Sequence, residues 1–201
     1  MDLGSAAPEW QTHGFVILPG FVLAAELKPA LDELSAMYPT AEGFHDGTDE
    51  RRDRFAVDEW AGIDSFPFRS TELSLLAVSD RVTDVAETLL ADGDLRISSA
   101  EAWAKYSGAA DYDQPLHRDY LSHTLMVPAR AEWGQRMPWA GRSHELEWYR
   151  FAHRATPRQL ALFGFPPPGH PYWTEATFAG TAQRYPGLNM TPWQQALRGE
   201  A

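Results

Sequence analysis

The residues best suited to chemistry are His117 and Asp119, two positions apart in the alternating run 116–127. In a β-strand, alternate side chains share one face and lie roughly 7 Å apart along the backbone. One imidazole nitrogen and one carboxylate oxygen can then reach a single metal. A second histidine from another strand would complete a 2-His-1-carboxylate triad, which holds iron(II) and leaves positions for a cosubstrate and O₂. His-x-Asp is a short motif that arises often by chance, so its support must come from the surrounding sequence.

Extended segments surround the motif and would have to position it. Residues 95–97 start a strand after the Asp92-Gly93-Asp94 turn, and residues 102–106 predict a partner strand. Near the N-terminus, the apolar run 15–18 lies between Gly14 and Pro19-Gly20 and predicts another strand.

Helical sequence flanks this strand-rich middle. Leucines at three- and four-residue spacing predict an amphipathic helix over residues 24–37, with Pro29 in its first turn. Residues 70–90 predict helix interrupted near Ser79-Asp80, where a new helix is capped. Residues 39–67 are loop-like. Later helices are expected to begin at Ser143 and at Thr156-Pro157.

Several of these segments, in this order, resemble the phytanoyl-CoA dioxygenase family. The run from Ala102-Trp103-Ala104-Lys105-Tyr106 through Leu116-His117-Arg118-Asp119-Tyr120 to His123-Thr124-Leu125 resembles that family's iron-binding core. Residues 14–21, with the following helix that carries Glu26 and Leu31, resemble its entry strand and helix. Residues 154–160 and 165–172 look like the C-terminal end of a bacterial-type subgroup.

The resemblance implies an α+β fold, a double-stranded β-helix (jelly roll) with helical N- and C-terminal flanks. It implies one domain over residues 1–201, with the first helices and barrel strands in 10–128 and a mainly helical segment in 129–201. The implied activity is hydroxylation of a small organic or acyl substrate, with iron(II) as cofactor and 2-oxoglutarate as cosubstrate. His117 and Asp119 match two iron ligands.

Two polar residues near the motif are softer matches to the cosubstrate site. Lys105 corresponds to a residue near the 2-oxoglutarate carboxylate, and Gln114 could line the same mouth. The alternative for both is an ordinary surface polar residue.

The family pattern breaks after Pro128, where on the order of 50 residues of strand-rich sequence should intervene before the second histidine ligand and the basic residue that binds 2-oxoglutarate. That block is missing, so the jelly roll is expected to be incomplete. His123 lies on the same strand as Asp119, about 13 Å along it from Asp119, too far to share the metal. The other histidines are poor substitutes. His144 has the family's ten-residue spacing to Arg154, but it and His153 lie in sequence that predicts helix, and His170 lies in a proline-rich turn.

The missing block leaves two readings open. The chain is either an oxygenase or a non-catalytic or truncated relative that keeps the shell of the fold. A zinc hydrolase using His117, Asp119 and His123 is disfavoured, since one strand cannot close a tetrahedral shell. Half a jelly roll also exposes an apolar sheet face, which predicts self-association unless helices from Trp133 onward cover it.

Composition narrows the function classes further. The 201 residues carry a formal net charge of −11 and 44% hydrophobic residues, which suits one globular domain and disfavours nucleic-acid binding. The run Arg51-Arg52-Asp53-Arg54 lies among acidic residues and predicts a solvated charged loop. No cysteine is present, so there is no disulfide or thiol nucleophile. With no leader-like or membrane-spanning run, we expect a soluble cytoplasmic protein that binds a small molecule.

Overall fold

The fold is known from a computed structural model, which describes residues 3–58, 60–109, 126–128 and 146–200. A short 3₁₀ turn at Leu3–Ser5 comes first. The helices are α1 (Ala6–His13), α2 (Ala24–Met37), α3 (Ala41–Asp46), α4 (Arg52–Val57), α5 (Thr71–Ala77), α6 (Asp80–Leu90), α7 (Leu146–Ala152), α8 (Pro157–Ala161), α9 (Glu175–Arg184) and α10 (Thr191–Leu197). The strands are β1 (Asp64–Ser65), β2 (Leu95–Ile97), β3 (Glu101–Ala102) and β4 (Met126–Pro128).

The described strands form two small antiparallel ladders. β1 pairs with β3, with Asp64 opposite Ala102, and β2 pairs with β4, with Ile97 opposite Met126. The chain therefore mixes helix with a small amount of antiparallel sheet, as the α+β prediction required. The finer prediction of a jelly roll stays a prediction, because these ladders are too short to define one.

Helix α2 begins and ends where the leucine spacing predicts. The Glu26 carboxylate accepts the Leu23 N–H at 2.8 Å, which satisfies one of the unpaired amides of the first turn. Pro29 lies in the second turn, not in the first as predicted. The Glu33 carboxylate accepts hydrogen bonds from the Ser70 hydroxyl at 2.7 Å and from the Glu72 N–H at 3.0 Å. These bonds fasten α2 to the start of α5.

The predicted break inside residues 70–90 is confirmed. Ser70 caps α5 by accepting the Leu73 N–H at 3.0 Å, and Ser79 is the N-cap of α6. Because serine at an N-cap satisfies a free amide, each of the two serines starts a helix of its own in this stretch.

Three predicted segments differ from the structure. Residues 15–18 form no strand, since the described chain offers them no sheet neighbour, and Phe15 and Ile17 are exposed. The predicted loop over 39–67 contains α3, α4 and β1. Strand β3 ends at Ala102 because its partner β1 is only two residues long, so residues 103–106 continue without sheet pairing.

The main core joins the sheet to the C-terminal helices. Its buried side chains include Phe66, Phe68, Val78, Leu95, Ile97, Trp148, Phe151, Leu160, Phe163, Phe165, Trp173 and Trp193. The Ile97 N–H donates to the Leu162 carbonyl at 2.7 Å, which ties β2 to the segment after α8. Trp148 and Phe151 of α7 belong to the same cluster as Leu95 and Ile97 of β2. In the described part of the chain, helices therefore cover the apolar side of this ladder.

A second, smaller cluster contains Tyr38, Phe44, Phe55 and Ala61, with Tyr106 packed against it. We call it the Tyr38 cluster. It lies between α2, the two short helices and the segment after β3, and it forms the base of the site described next. Within the described ranges, no helix combines the length and apolar character that crossing a bilayer requires.

Candidate functional site

A groove of about 630 Å³ runs between α2 and the segment that follows β3. We call it the α2 groove. Its lining is Leu31, Leu34, Ser35, Tyr38, Pro39, Thr40, Leu73, Glu101, Ala102, Trp103, Ala104, Lys105 and Tyr106. Its size and its largely apolar lining with few polar groups are typical of a small-molecule site.

One wall of the α2 groove is held by aromatic stacking. The Tyr106 ring stacks on Phe44 at 4.0 Å between centroids and 10° between planes, and Phe55 meets it edge-on at 5.8 Å. The Tyr106 hydroxyl donates to the Pro39 carbonyl at 2.6 Å. Burial raises the pKa of Tyr106, with Arg51 acting in the opposite direction. The hydroxyl therefore stays protonated and positions the wall.

Tyr38 forms the base of the α2 groove. Its hydroxyl donates to the Gly62 carbonyl at 2.7 Å, and the Ala102 carbonyl lies 3.3 Å away. Burial raises the pKa of Tyr38, while Arg69 favours the ionised form. Gly62 has φ of +71°, and a Cβ there would lie 3.2 Å from both Tyr38 and Phe55, so glycine is required at this position.

The opening of the α2 groove combines apolar walls with charges at the rim. Leu31 is 55% exposed although it is a leucine on a well-formed helix. Trp103 packs against Trp60 at 5.3 Å between ring centroids. Lys105 and Glu101 are exposed at the edge. The groove therefore suits a mainly apolar molecule with a charged end.

Of the residues predicted to form the site, the structure places Lys105 on the α2 groove. Gln114, His117 and Asp119 lie outside the described residues. Lys105 is an exposed cationic side chain at the edge of this groove. Its role near the cosubstrate carboxylate stays a prediction.

Of the four histidines considered as further ligands, His123 and His144 lie outside the described residues, and His153 and His170 are engaged with backbone groups. Both ring nitrogens of His153 face carbonyl oxygens, Nδ1 at 2.7 Å from Tyr149 and Nε2 at 3.1 Å from Pro186. His170 Nδ1 accepts the Tyr172 N–H at 3.0 Å. The described residues contain no group of three histidine, aspartate or glutamate side chains placed to hold a metal.

Sequence reasoning missed several groove residues. Tyr38 was not singled out by any motif. Tyr106 belongs to the run 102–106 that resembles the family's iron-binding core, but the sequence assigned it no role in the site. The charged run beginning at Arg51 was predicted to be a solvated loop, but it starts helix α4. Arg51 itself forms a surface ion pair with Asp49 at 2.6 Å, and this pair holds the pKa of Asp49 at about 2. The charge pattern gave no sign that Arg54 lines a cleft.

Comparison with protein-family models, with curated proteins and with solved structures gives no match. The function is therefore argued from the α2 groove and from the His117-x-Asp119 motif.

Proposed function

We propose that this chain is a relative of the phytanoyl-CoA dioxygenases that binds a small organic or acyl substrate and hydroxylates it with iron(II) and 2-oxoglutarate. In this proposal its fold is an incomplete jelly roll. The observation that carries the proposal is that Lys105 lies on a largely apolar groove, twelve residues before the His117-x-Asp119 motif. A cationic side chain beside an apolar cavity suits a molecule with a carboxylate and an aliphatic body.

The donor set of the motif fits the metal. An imidazole nitrogen and a carboxylate oxygen are ligand types that non-haem iron(II) takes, so His117 and Asp119 would hold it. Iron(II) held there would, with 2-oxoglutarate as reductant and O₂ as oxidant, supply the oxidation of a C–H bond. We assign no third protein ligand. The two candidate histidines that the structure describes, His153 and His170, bond to backbone groups.

The described residues supply binding and orientation. Leu31, Leu34 and Leu73 give the α2 groove an apolar side that excludes water from an aliphatic chain. The stacked Tyr106 and Phe44 rings fix the shape of the opposite side. The Lys105 ammonium pairs with a carboxylate, either of 2-oxoglutarate or of the substrate. A substrate held in this way has its apolar part aligned along the groove walls.

A second candidate function is that of a non-catalytic relative that keeps the α2 groove as a binding site. The observation that favours it is the engagement of His153, which has both ring nitrogens against backbone carbonyls and is closed to a metal. In this case the α2 groove would still bind an apolar anion, but no iron would be retained.

An anaerobic spectrum separates the two candidates. Purified protein is mixed with iron(II) and then with 2-oxoglutarate, and the weak charge-transfer band at the red end of the visible spectrum is recorded. The oxygenase proposal expects the band in the wild type and its loss in Asp119→Ala. Lys105→Gln should raise the 2-oxoglutarate concentration needed for half-saturation by about tenfold, since it removes one charge-assisted hydrogen bond.

His13→Gln is the matched control, because His13 ends α1 and does not line the α2 groove. It should leave the band unchanged. A wild-type protein with a featureless spectrum and no retained iron would contradict the oxygenase and leave the binding-only candidate.

A further inference from the structure

A second cleft, of about 520 Å³, is lined by Arg54, by Arg69 and by residues 62–67 around β1. We call it the Arg54 cleft. Asp64 and Glu147 are its acidic lining residues. The lining therefore holds two guanidinium groups and two carboxylates, in a chain whose formal net charge is −11.

Arg69 is fixed in this cleft by its neighbours. Its backbone N–H donates to Asp64 Oδ2 at 2.9 Å, and its side-chain Nε lies 3.5 Å from the same oxygen. A second guanidinium nitrogen donates to the Gly62 carbonyl at 3.2 Å. Asp64 is only 8% exposed, and its carboxylate is engaged by Arg69. The remaining N–H groups of Arg69 have a defined position.

Arg54 has a different environment. It lies in the last turn of α4, and its guanidinium sits 5.8 Å from the centroid of the Phe55 ring. No described carboxylate forms an ion pair with Arg54, whereas its neighbour in the cleft, Arg69, has one with Asp64. A planar guanidinium on a cleft without a protein carboxylate can bind an oxyanion through two parallel N–H···O bonds.

We propose that the Arg54 cleft binds a small oxyanion, a carboxylate or a phosphate group, with Arg54 as the main contact and Arg69 as the second. Glu147 lines the same cleft from the first turn of α7 and is only partly exposed. Its carboxylate repels the ligand and restricts the cleft to ligands of low negative charge. The proposal uses none of the predicted iron ligands, so its failure or success does not bear on the oxygenase proposal.

The test is an anion titration followed by ¹H–¹⁵N correlation spectra at constant ionic strength. Sodium acetate and sodium phosphate are added in separate arms against sodium chloride, and the amides of Gly62 and Ser65 are followed. We expect saturable shifts with at least one of the two oxyanions, and the tighter arm identifies the ligand chemistry. Arg54→Gln should weaken this binding by about tenfold, the typical effect of losing a charge-assisted contact.

Two further variants make the test decisive. Glu147→Gln should tighten binding several-fold, because it removes the repulsive charge without changing the size of the side chain. Arg198→Gln changes the net charge by the same amount as Arg54→Gln at an exposed position outside the cleft, and it should have no effect. Shifts that do not saturate with either oxyanion, equal binding by Arg54→Gln, or weaker binding by Glu147→Gln would overturn the proposal.

Discussion

The main core and the Tyr38 cluster use aromatic residues for different ends. In the main core the tryptophans are buried. The indole N–H groups of Trp173 and Trp193 both donate to the Pro166 carbonyl, at 2.9 and 2.8 Å. In the Tyr38 cluster the aromatic rings support an open groove, and Leu31 beside it is 55% exposed. Apolar residues of the main core therefore stabilise the fold, whereas those beside the Tyr38 cluster remain available to a ligand.

The largest expected effect is on the main core. Phe151 is fully buried and contacts the rings of Phe66, Trp148 and Phe163, so Phe151→Ala leaves a cavity among aromatic neighbours. We expect the free energy of unfolding to fall by about 3–5 kcal/mol. Urea unfolding followed by far-ultraviolet circular dichroism measures it. A loss under about 1 kcal/mol would show that this cluster does not carry the fold.

A smaller loss is expected at the groove wall. Tyr106→Phe keeps the ring stack on Phe44 but removes the hydrogen bond to the Pro39 carbonyl, which is then left without that donor. The free energy of unfolding should fall by about 1 kcal/mol, the usual net value of one such bond. The same urea experiment reports it. A loss as large as that of Phe151→Ala would erase the distinction between the two regions.

The Tyr106 hydroxyl should also make the free energy of unfolding depend on pH in the alkaline range. Burial raises the pKa of Tyr106 above its ordinary value of about 10. The unfolded chain therefore releases this proton first, and stability present below about pH 10 is lost as the pH rises through the folded-state pKa. Urea midpoints between pH 8 and 11 should decline less steeply in Tyr106→Phe than in the wild type. Equal slopes would contradict this origin.

The smallest stability effect, with a clear binding effect, is expected at Leu31. Leu31→Glu changes an exposed side chain, so the free energy of unfolding should move by no more than about 0.5 kcal/mol. The fluorescence of bound 1-anilinonaphthalene-8-sulfonate, an apolar anion that suits the α2 groove beside Lys105, should fall because the variant removes apolar surface and adds a repelling charge. Leu197→Glu, at a leucine of α10 that is 37% exposed and lies outside the groove, is the matched control. Equal dye emission from both variants would mean that the dye binds elsewhere.

Strong local signals in the sequence were enough to predict part of this fold. The leucine spacing of α2 and the serine that starts α6 act within one turn of helix, so each could be recognised without its tertiary partners. The apolar run at residues 15–18 had a strand pattern, yet a strand needs a neighbour that the local sequence does not specify. Helices α3 and α4 have only six residues each, too short for a periodic signal.

The candidate site likewise contains residues that the sequence suggested and residues that it did not. Lys105 was suggested by the family resemblance and lies on the α2 groove, whereas Gln114, His117 and Asp119 fall outside the described residues. The partners that shape the groove, Tyr38 and Phe44, stand more than sixty residues before Tyr106 in the chain. Tertiary packing alone brings them together, so no local pattern could have identified them. The pairing of Arg54 with Arg69 in one cleft has the same origin.

The most direct test of the oxygenase proposal is the iron content of the protein after anaerobic loading with iron(II) and gel filtration. The wild type should retain iron in proportion to protein, and the double variant His117→Ala/Asp119→Ala should retain almost none while unfolding at the same urea concentration. Equal iron content in the two proteins, or no iron in either, would contradict the assignment of this pair as metal ligands.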